Sequence, residues 1–394
     1  MAGKRERIIA LLAGILAAVF LSAGSALADR VVTLSFTGDC TIGSEEKYRD
    51  REDSFDSLAE KYGYGYFFRN FRDLFSADDC TVINLEGVLS DTKSGEKDRK
   101  YYRFRGPEKF VGILTDGSVE LAGIANNHIA DFSARGMERM IGTLESAGIG
   151  WARATTPYVL EKDGIRIYFF AMDYSLQNQK GKTIRKTIMG LKESGEANAV
   201  VVMYHNGNEY DARHSSVQAK VGDFYIDAGA DLVIMHHPHV VQGIQVRNNR
   251  TIFYSLGNFI FGGNREIRTN NYQNIRTVSS LYTMAVQVKM HFSDDGRYLG
   301  QQAVLYPAYT SSAEPANNFQ PVRMTVEQTE PVTDAILFDT PQTELPAATE
   351  DEDGYARIIM PYLDAGNGLP AEENTAGKPE TPAARPGRDS RQAE

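Results

Sequence analysis

The sequence predicts an α/β fold in which a mixed β-sheet, or two packed sheets, lies between helices. From residue 31 to about 310, strand-like apolar runs alternate with amphipathic helical stretches, which is the pattern of an α/β domain. After residue 240 the strands follow one another as hairpins, which indicates antiparallel pairing. These two observations predict parallel and antiparallel strands together in one large domain, residues 29–310.

The first half of this domain is expected to supply the parallel strands and the helices between them. Apolar runs predict strands at 31–37, 81–85, 119–124, 199–204 and 232–235. A helix is predicted at 133–147, with Ser133 as its N-cap and Gly148 as its stop. Its apolar face contains Met137, Met140, Ile141 and Leu144, and a second helix is predicted at 215–228.

Hairpins account for the remaining strands. Residues 158–160 are expected to pair with 165–170, residues 243–246 with 251–254, and residues 282–292 with 299–306. Each pair flanks a short polar turn, as at Asp163 and Gly164. The second half of the domain is therefore predicted to be mainly antiparallel.

The N-terminus has the pattern of a secretory signal peptide, residues 1–28. Three basic residues precede an apolar stretch, and Ala26-Leu27-Ala28 is a typical cleavage site before Asp29. The alternative is an uncleaved membrane anchor, because the apolar stretch approaches the roughly 20 residues that a bilayer span needs. Either interpretation places the folded domain outside the cytoplasm, as a secreted, periplasmic or cell-surface protein.

The C-terminal part is expected to be less regular. Residues 311–365 are predicted to form an irregular wrap with one short helix near 355–363. Residues 366–394 consist mainly of Pro, Ala, Glu, Gly and Arg, and such a composition cannot bury enough apolar surface to offset chain entropy. We therefore expect a disordered tail there.

The charge of the chain restricts its partners. The formal net charge is −10, and removal of the signal, with three basic residues and one acidic residue, makes it −12. This balance argues against a nucleic-acid-binding protein. An acidic body also repels acidic polymers, so a polyanionic ligand needs a local basic patch or a metal ion to hold it.

The two cysteines, Cys40 and Cys80, are expected to be free and buried. An exported protein is in a compartment that permits disulfides. However, Cys40 follows one predicted strand, whereas Cys80 precedes the next. In parallel neighbours this separates them by roughly 15 Å, against a Cα limit of about 7 Å for a disulfide.

Five polar segments each follow a strand-like run. They are Gly38-Asp39, Asn84-Leu85-Glu86-Gly87, Asn126-Asn127-His128, His205-Asn206-Gly207 and His236-His237-Pro238-His239. The carboxyl ends of parallel strands open onto one crevice, so these segments are expected to meet. The predicted pocket contains Asp39, Glu86, Asn127, His128, His205, His237 and His239.

This set of side chains predicts a metal site. Carboxylate, amide and imidazole ligands without thiolate suit one or two divalent ions such as Zn, Mn or Fe, with Mg less suited to so much histidine. In an extended segment His237 and His239 share a face, and His236 points away and is left outside the ligand set. Alone, each residue also has an ordinary explanation; Asp131, for example, suits a helix cap. The convergence of several such residues favours the site.

These motifs, together with Asp131, 227–231 and 254–259, resemble the bacterial capsule-synthesis protein family, which has CapA-like and PgsA-like members. The resemblance covers residues 32–307. That family is similar to the calcineurin-like metallophosphoesterases, so the resemblance implies a metallophosphoesterase-like sandwich of two mixed β-sheets flanked by helices. It also implies a role in making or exporting poly-γ-glutamate at the cell surface.

The resemblance assigns roles to individual residues. It implies that Asp39, Asn127, His205, His237 and His239 bind metal. Two positions depart from the phosphoesterase pattern. Thr41 occupies the place of a ligand histidine, and Asn84 and Glu86 are the residues nearest the usual bridging aspartate. Both departures weaken the case for a complete two-metal centre.

Catalytic and substrate-binding roles are expected for five further side chains. His128 is expected to protonate the leaving group or stabilise the transition state, and Asp131 to orient its ring. Arg103, Arg105 and Asn258 are candidates to bind a phosphate or carboxylate, although the arginines also suit an exposed loop.

Three functions remain open from the sequence. The first is a metal-dependent hydrolase or transferase acting on a phosphoester or on an amide of an anionic polymer. The second is a non-catalytic component that grips a polyanion within membrane-bound capsule synthesis machinery. The third, a generic secreted nucleotidase, is disfavoured by Thr41.

Overall fold

A computed structural model describes residues 30–263, 279–313 and 316–367. The predicted signal peptide and nearly all of the predicted disordered tail lie outside these residues. The strands are β1 (Arg30–Thr41), β2 (Cys80–Leu85), β3 (Val88–Leu89), β4 (Arg105–Gly106), β5 (Leu121–Gly123), β6 (Gly150–Ala152), β7 (Tyr158–Lys162), β8 (Ile165–Asp173), β9 (Ala199–His205), β10 (Leu232–His236), β11 (Ile244–Arg247), β12 (Arg250–Phe253), β13 (Asn258–Phe261), β14 (Tyr282–Phe292), β15 (Tyr298–Tyr309), β16 (Val322–Arg323), β17 (Thr349–Glu350), β18 (Ala356–Ile359) and β19 (Leu363–Asp364). The α-helices are α1 (Phe55–Tyr62), α2 (Arg72–Ser76), α3 (Val111–Asp116), α4 (Ser133–Ser146), α5 (Tyr174–Glu193), α6 (Ser216–Ile226) and α7 (Glu330–Asp339).

Most strands belong to two mixed sheets that pack face to face. The larger sheet has the order β17-β18-β15-β14-β1-β2-β5-β6, and the smaller one has the order β11-β12-β10-β9-β8-β7. One continuous hydrophobic core contains residues of both sheets, including Phe36 of β1 and Phe169 of β8. Helices cover the outer faces, so the predicted α/β sandwich of two mixed sheets is confirmed.

The central strands of each sheet are buried on both faces, by the other sheet on one side and by helices on the other. β8 is an example. Its residues Ile165, Ile167 and Phe169 face the core between the sheets. The alternate residues Phe170 and Met172 pack instead under helices α5 and α6. Complete burial of each such side chain contributes about 1.5–3 kcal/mol, which explains the unbroken apolar runs in the sequence.

A second outer core covers the larger sheet. It is rich in phenylalanine, and Phe55 stacks on Phe67 with ring centroids 4.2 Å apart. The apolar face predicted for α4 also packs here, with Met140 and Leu144 fully buried. These contacts hold the helices against the strands that lead to the polar segments.

The register of the parallel strands brings their carboxyl ends to one edge of the sandwich. In the larger sheet Asp39 of β1 lies beside Asn84 of β2. In the smaller sheet His205 of β9 lies beside His236 of β10. The pairing of Leu34 with Cys80 also places Cys40 six positions further along its strand, and both thiols are free and buried, as predicted.

Two local predictions were wrong. Ser133 is not the N-cap of α4: the helix begins at Ser133 after Phe132, and no side chain caps it. The short helix expected at 355–363 is instead strand β18, because Ala356 and Ile358 alternate into the core and the strand pairs with β15. Helix α7 also lies within the segment predicted to be an irregular wrap.

No helix among the described residues is long and apolar enough to cross a membrane.

Asp339, the last residue of α7, ties this C-terminal helix to two loops from the pocket edge. Its carboxylate accepts hydrogen bonds from the backbone nitrogen of His214 at 3.0 Å and from that of Gly243 at 2.7 Å. His214 Nδ1 lies 2.8 Å from the same carboxylate. The side chain of Asp339 is only 1% exposed, so its partners cannot turn to water instead.

We predict that Asp339→Ala destabilises the protein by about 2–4 kcal/mol, because two N–H groups lose their acceptor in a buried place. Urea denaturation measures this loss. Asp334→Ala is the matched control, since Asp334 is exposed on the same helix, and it should change the free energy of unfolding by less than about 0.5 kcal/mol. Equal effects of the two variants would contradict the role of Asp339.

Candidate metal centre

The five predicted polar segments meet in one pocket at the carboxyl edge of the two sheets. β1 supplies Asp39, and the turn after β2 supplies Glu86. The loop after β5 supplies Asn127 and His128, β9 supplies His205, and the turn after β10 supplies His237 and His239. These seven predicted residues are linked to one another by the contacts described below.

Glu86 belongs to both groups of side chains that could hold a metal ion among the described residues. The first group is Asp39, Glu86 and His205, and the second is Glu86, His237 and His239. Within each group the potential ligand atoms all lie within 4.8 Å of one another. Glu86 is therefore the side chain that the two groups share.

The carboxylate of Glu86 has the surroundings of a metal ligand. It is completely buried, and neither oxygen has a hydrogen-bond partner among the described residues. Burial, together with the nearby charge of Asp39, raises the pKa of Glu86 well above its ordinary value despite His239. A buried carboxylate without partners is costly, and a divalent cation between these ligands would satisfy it.

Asp39, in contrast, is held by several donors. Asn84 Nδ2 donates to one carboxylate oxygen at 2.8 Å, and the backbone nitrogen of His237 donates to the other at 3.1 Å. His239 Nδ1 lies 3.3 Å from Asp39 Oδ2. Burial opposes ionisation, but His239 and the other imidazoles outweigh it and hold the pKa of Asp39 well below its ordinary value.

The histidines of the pocket differ in protonation. Burial lowers the pKa of His205, and burial with the neighbouring His239 lowers that of His237 to about 4. Burial also opposes a charge on His239, but Glu86 and Asp39 outweigh it and raise its pKa to about 10. Neutral imidazole is the metal-binding form, so His205 and His237 are ready to bind and His239 must first lose a proton.

The two histidines of the last motif converge by a turn, and the predicted extended geometry was wrong. His237 has φ of 99° and His239 has φ of 59°, so neither is in a strand conformation. Nδ1 of His237 is buried with no hydrogen-bond partner in the described part of the chain. His236 is buried elsewhere and its Nε2 lies 3.1 Å from the carbonyl of Thr37, which agrees with its expected exclusion from the ligand set.

His128 and Asp131 form a second unit beside the metal ligands. His128 Nδ1 lies 2.7 Å from Asp131 Oδ2, and His128 Nε2 faces Glu86 at 3.7 Å. Lys100 was missed by the sequence analysis: its Nζ donates to Asp131 Oδ1 at 2.6 Å and to the carbonyl of Asn127 at 2.8 Å. Burial lowers the pKa of His128, and the hydrogen bond with Asp131 opposes this shift.

The expected substrate-binding residues are paired with protein groups. Arg103 Nε donates to Glu96 at 2.6 Å, and the buried Arg105 contacts Glu46 and the carbonyl of Ser90. Asn258 Oδ1 lies 2.8 Å from His239 Nδ1 and so orients that ring. These contacts favour structural and orienting roles for the three side chains, and their substrate binding stays a prediction.

Asn127 and Thr41 complete the surroundings of the pocket. Asn127 Oδ1 lies 2.8 Å from His205 Nε2, which brings it beside the first group of ligands. Thr41, at the position of the ligand histidine in the phosphoesterase pattern, is buried. Its hydroxyl has no hydrogen-bond partner within the residues that the structure describes.

A comparison with family models shows the relationship of this chain. Residues 33–263 match the model described as "Bacterial capsule synthesis protein PGA_cap". The chain belongs to this family. The resemblance predicted from the polar motifs is thereby confirmed, and all seven pocket residues lie within the matched PGA_cap segment.

Two curated relatives are named for the biosynthesis of a capsule or of PGA. The chain is 29% identical over 254 residues to "Capsule biosynthesis protein CapA" of Bacillus anthracis, covering 58% of this chain and 60% of the relative. It is 27% identical over 252 residues to "PGA biosynthesis protein CapA" of Bacillus subtilis (strain 168), covering 59% and 64%. The match to this PGA_cap chain thus spans less than two thirds of each relative.

Part of the chain also aligns with a solved structure, that of a hypothetical protein from Thermus thermophilus. The two are 14% identical, and the match covers 70% of this chain and 99% of that one, with a TM-score of 0.40.

Replacing His237 should weaken metal binding far more than replacing the adjacent His236. His237→Ala removes a ligand of the group that includes Glu86 and His239, so Mn²⁺ or Zn²⁺ affinity should fall more than about tenfold. His236→Gln leaves both groups intact and should change affinity by less than about threefold. Isothermal titration calorimetry measures both, with melting curves to verify folding, and equal losses would argue against the assigned ligands.

Metal binding should release at least about one proton at neutral pH, because the raised pKa of His239 keeps that ring protonated in the metal-free site. Affinity should therefore increase between pH 6 and pH 9, by about tenfold per pH unit for each proton released. Titrations in buffers of different ionisation enthalpy count the protons. An affinity that does not depend on pH over this range would contradict the assignment of His239.

Proposed function

We propose that this PGA_cap-family protein is a secreted or cell-surface, metal-dependent hydrolase that acts in the synthesis or export of a poly-γ-glutamate capsule. The observation that carries the proposal is the buried carboxylate of Glu86, which has no hydrogen-bond partner in the described chain and is shared by two groups of metal-competent side chains. A binding surface without a metal ion has no need for such a group. The His128–Asp131 pair beside it adds proton-transfer chemistry.

The metal is proposed to be Mn, Zn or Fe, as one ion or two. Asp39, Glu86 and His205, with Asn127 beside them, would hold one ion, and Glu86, His237 and His239 would hold the other. When bound, the metal would supply Lewis acidity toward the anionic oxygen of the substrate and acidify the attacking water.

His128 would handle the proton on the leaving group. With a proton on Nδ1, His128 would donate to Asp131 Oδ2 at 2.7 Å, which would fix the ring and direct Nε2 toward the pocket. Lys100 Nζ also lies 3.0 Å from this Nδ1. Lys100 bonds the other oxygen of Asp131 and holds that carboxylate in place. In the imidazolium form, with protons on both nitrogens, His128 would give the proton on Nε2 to a phosphoester or amide leaving group as its bond breaks, and would become neutral with Nδ1–H still bonded to Asp131.

The relatives' names and the charge of the chain support the proposed substrate and partners. One relative is named for PGA biosynthesis, and we extend that role to this chain, with an anionic polymer or phosphoester as substrate. Membrane-bound capsule synthesis machinery is the proposed partner. Export depends on the predicted signal in residues 1–28, either cleaved or kept as an anchor.

Thr41 favours a second candidate, a non-catalytic component of a capsule assembly or export complex. The phosphoesterase pattern has an imidazole at this position, and a buried threonine hydroxyl is a poor substitute for it. In this version the pocket would grip carboxylates of the polymer through a metal ion without cleaving it.

Hydrolysis of a generic aryl phosphoester tests the first candidate. We expect residues 29–394 to bind metal and to turn the ester over with Mn²⁺ or Zn²⁺, and His128→Gln to lower kcat by about 10²–10⁴-fold while keeping the metal. His237→Ala should lose both metal and activity.

Two outcomes separate the candidates. Turnover that disappears with a chelator and in both variants supports the hydrolase. Bound metal and polyglutamate binding without turnover of the phosphoester or of the polymer would reject the hydrolase and favour the non-catalytic component.

A further inference from the structure

A basic segment lies beside the pocket of this otherwise acidic protein. Residues 93–105 contain six Lys or Arg residues against two acidic ones, whereas the whole chain has a net charge of −10. Lys97 and Arg99 of this segment are exposed. The charge of the chain requires a local basic patch for any polyanionic ligand, and this segment provides one.

Aromatic rings stand in the same segment. Tyr101 is 72% exposed and Tyr102 is 50% exposed, and their rings meet edge to face with centroids 4.7 Å apart. Lys47 Nζ lies 4.3 Å from the centroid of Tyr101 and 5.4 Å from that of Tyr102. We call Lys47, Lys97, Arg99, Tyr101 and Tyr102 the aromatic-basic rim.

This rim is joined directly to the reaction site. The backbone nitrogen of Lys97 donates to the carbonyl of Asp131 at 2.8 Å. Lys100, between Arg99 and Tyr101, bonds the carboxylate of the same aspartate. Phe104 lies against His128 with ring centroids 4.2 Å apart and pairs with Glu45, which also binds Lys47. A chain that leaves the pocket past His128 therefore meets the rim.

We propose that the aromatic-basic rim is an extended subsite for a chain of repeated carboxylates, so that the pocket acts on a polymer and not on a small ester. Lys97 and Arg99 attract the carboxylates, and the tyrosine rings pack on the methylene groups between them. This inference rests on the proposed function for the polymer as ligand, but it does not depend on catalysis.

The geometry favours a polycarboxylate over a nucleic acid. Successive stacked bases need aromatic faces that are parallel to one another, whereas the rings of Tyr101 and Tyr102 meet edge to face. Polyphosphate has no apolar part for the rings to contact. A chain with carboxylates separated by methylene groups suits both features of the rim.

Fluorescence anisotropy with chelator-treated protein, residues 29–394, tests the rim without the metal. The probes are labelled γ-linked glutamate chains of 2 and about 16 units, the shorter having too few charges to span the rim. We expect the longer chain to bind at least about tenfold more tightly at low salt. Tyr101→Ala with Tyr102→Ala, and separately Lys97→Gln with Arg99→Gln, should each weaken it about tenfold.

Lys61 and Tyr62 are the matched control, because they form a similar exposed pair in which Lys61 Nζ lies 4.9 Å from the ring centroid of Tyr62. Lys61→Gln with Tyr62→Ala should leave the affinity for the long chain unchanged. Melting curves and metal content of all variants verify that the fold and the pocket are intact.

The extended subsite would be rejected if the two chain lengths bind with equal affinity, or if the control variant loses as much affinity for the long chain as the rim variants do. Tighter binding of oligothymidylate or polyphosphate through the same residues would overturn the choice of a polycarboxylate. Ester turnover tests the hydrolase alone. If the protein shows no turnover but still binds the long chain through the rim, the proposed catalysis is rejected and this inference is kept.

Discussion

The buried carboxylate of Glu86 is the constraint on which the site depends. It follows directly after β2, in the middle of the larger sheet, and neither of its oxygens has a hydrogen-bond partner among the described residues. Burial opposes the ionised form of this carboxyl group and raises its pKa well above the ordinary value. With a cation, the same burial strengthens the attraction, because little water competes. The surroundings of Glu86 suit the cation-bound state. Two sheets pack closely around this residue, and histidines from both of them converge there.

The layers of the fold were predictable because buried parallel strands leave a strong pattern. In β8 and β9 both faces are covered, so the apolar runs are continuous, and their ends were predicted to within a few residues. The start of helix α4 at Ser133 and the strand at Ala356–Ile359 were not predictable in the same way. A serine before a helix suits a cap whether or not it forms one, and a strand of four residues depends on its pairing with β15.

The cluster of candidate ligands was predictable from strand ends, but its geometry and surroundings were not. Parallel strands of one sheet deliver their last residues to one edge, so the pattern of apolar runs was enough to bring Asp39 beside Asn84 in the larger sheet and His205 beside His236 in the smaller one. The turn that directs His237 and His239 inward needs positive φ values, and histidine is not a residue type that predicts them. Lys100 follows no apolar run, so nothing local marked it, and Arg105 has the residue type of an anion binder but is held by Glu46.

The pairing of β1 has a consequence for how this chain reaches its native state. β1 carries Asp39, and it lies between β2, some 45 positions further on, and β14, where Phe36 pairs with Val286. The segment that matches the family ends at residue 263, before β14 begins. As a nascent chain emerges from its N-terminus, β1 therefore keeps one edge open until most of the protein has followed. Such distant pairing slows folding, and until β14 has been made it leaves an exposed strand edge that favours aggregation.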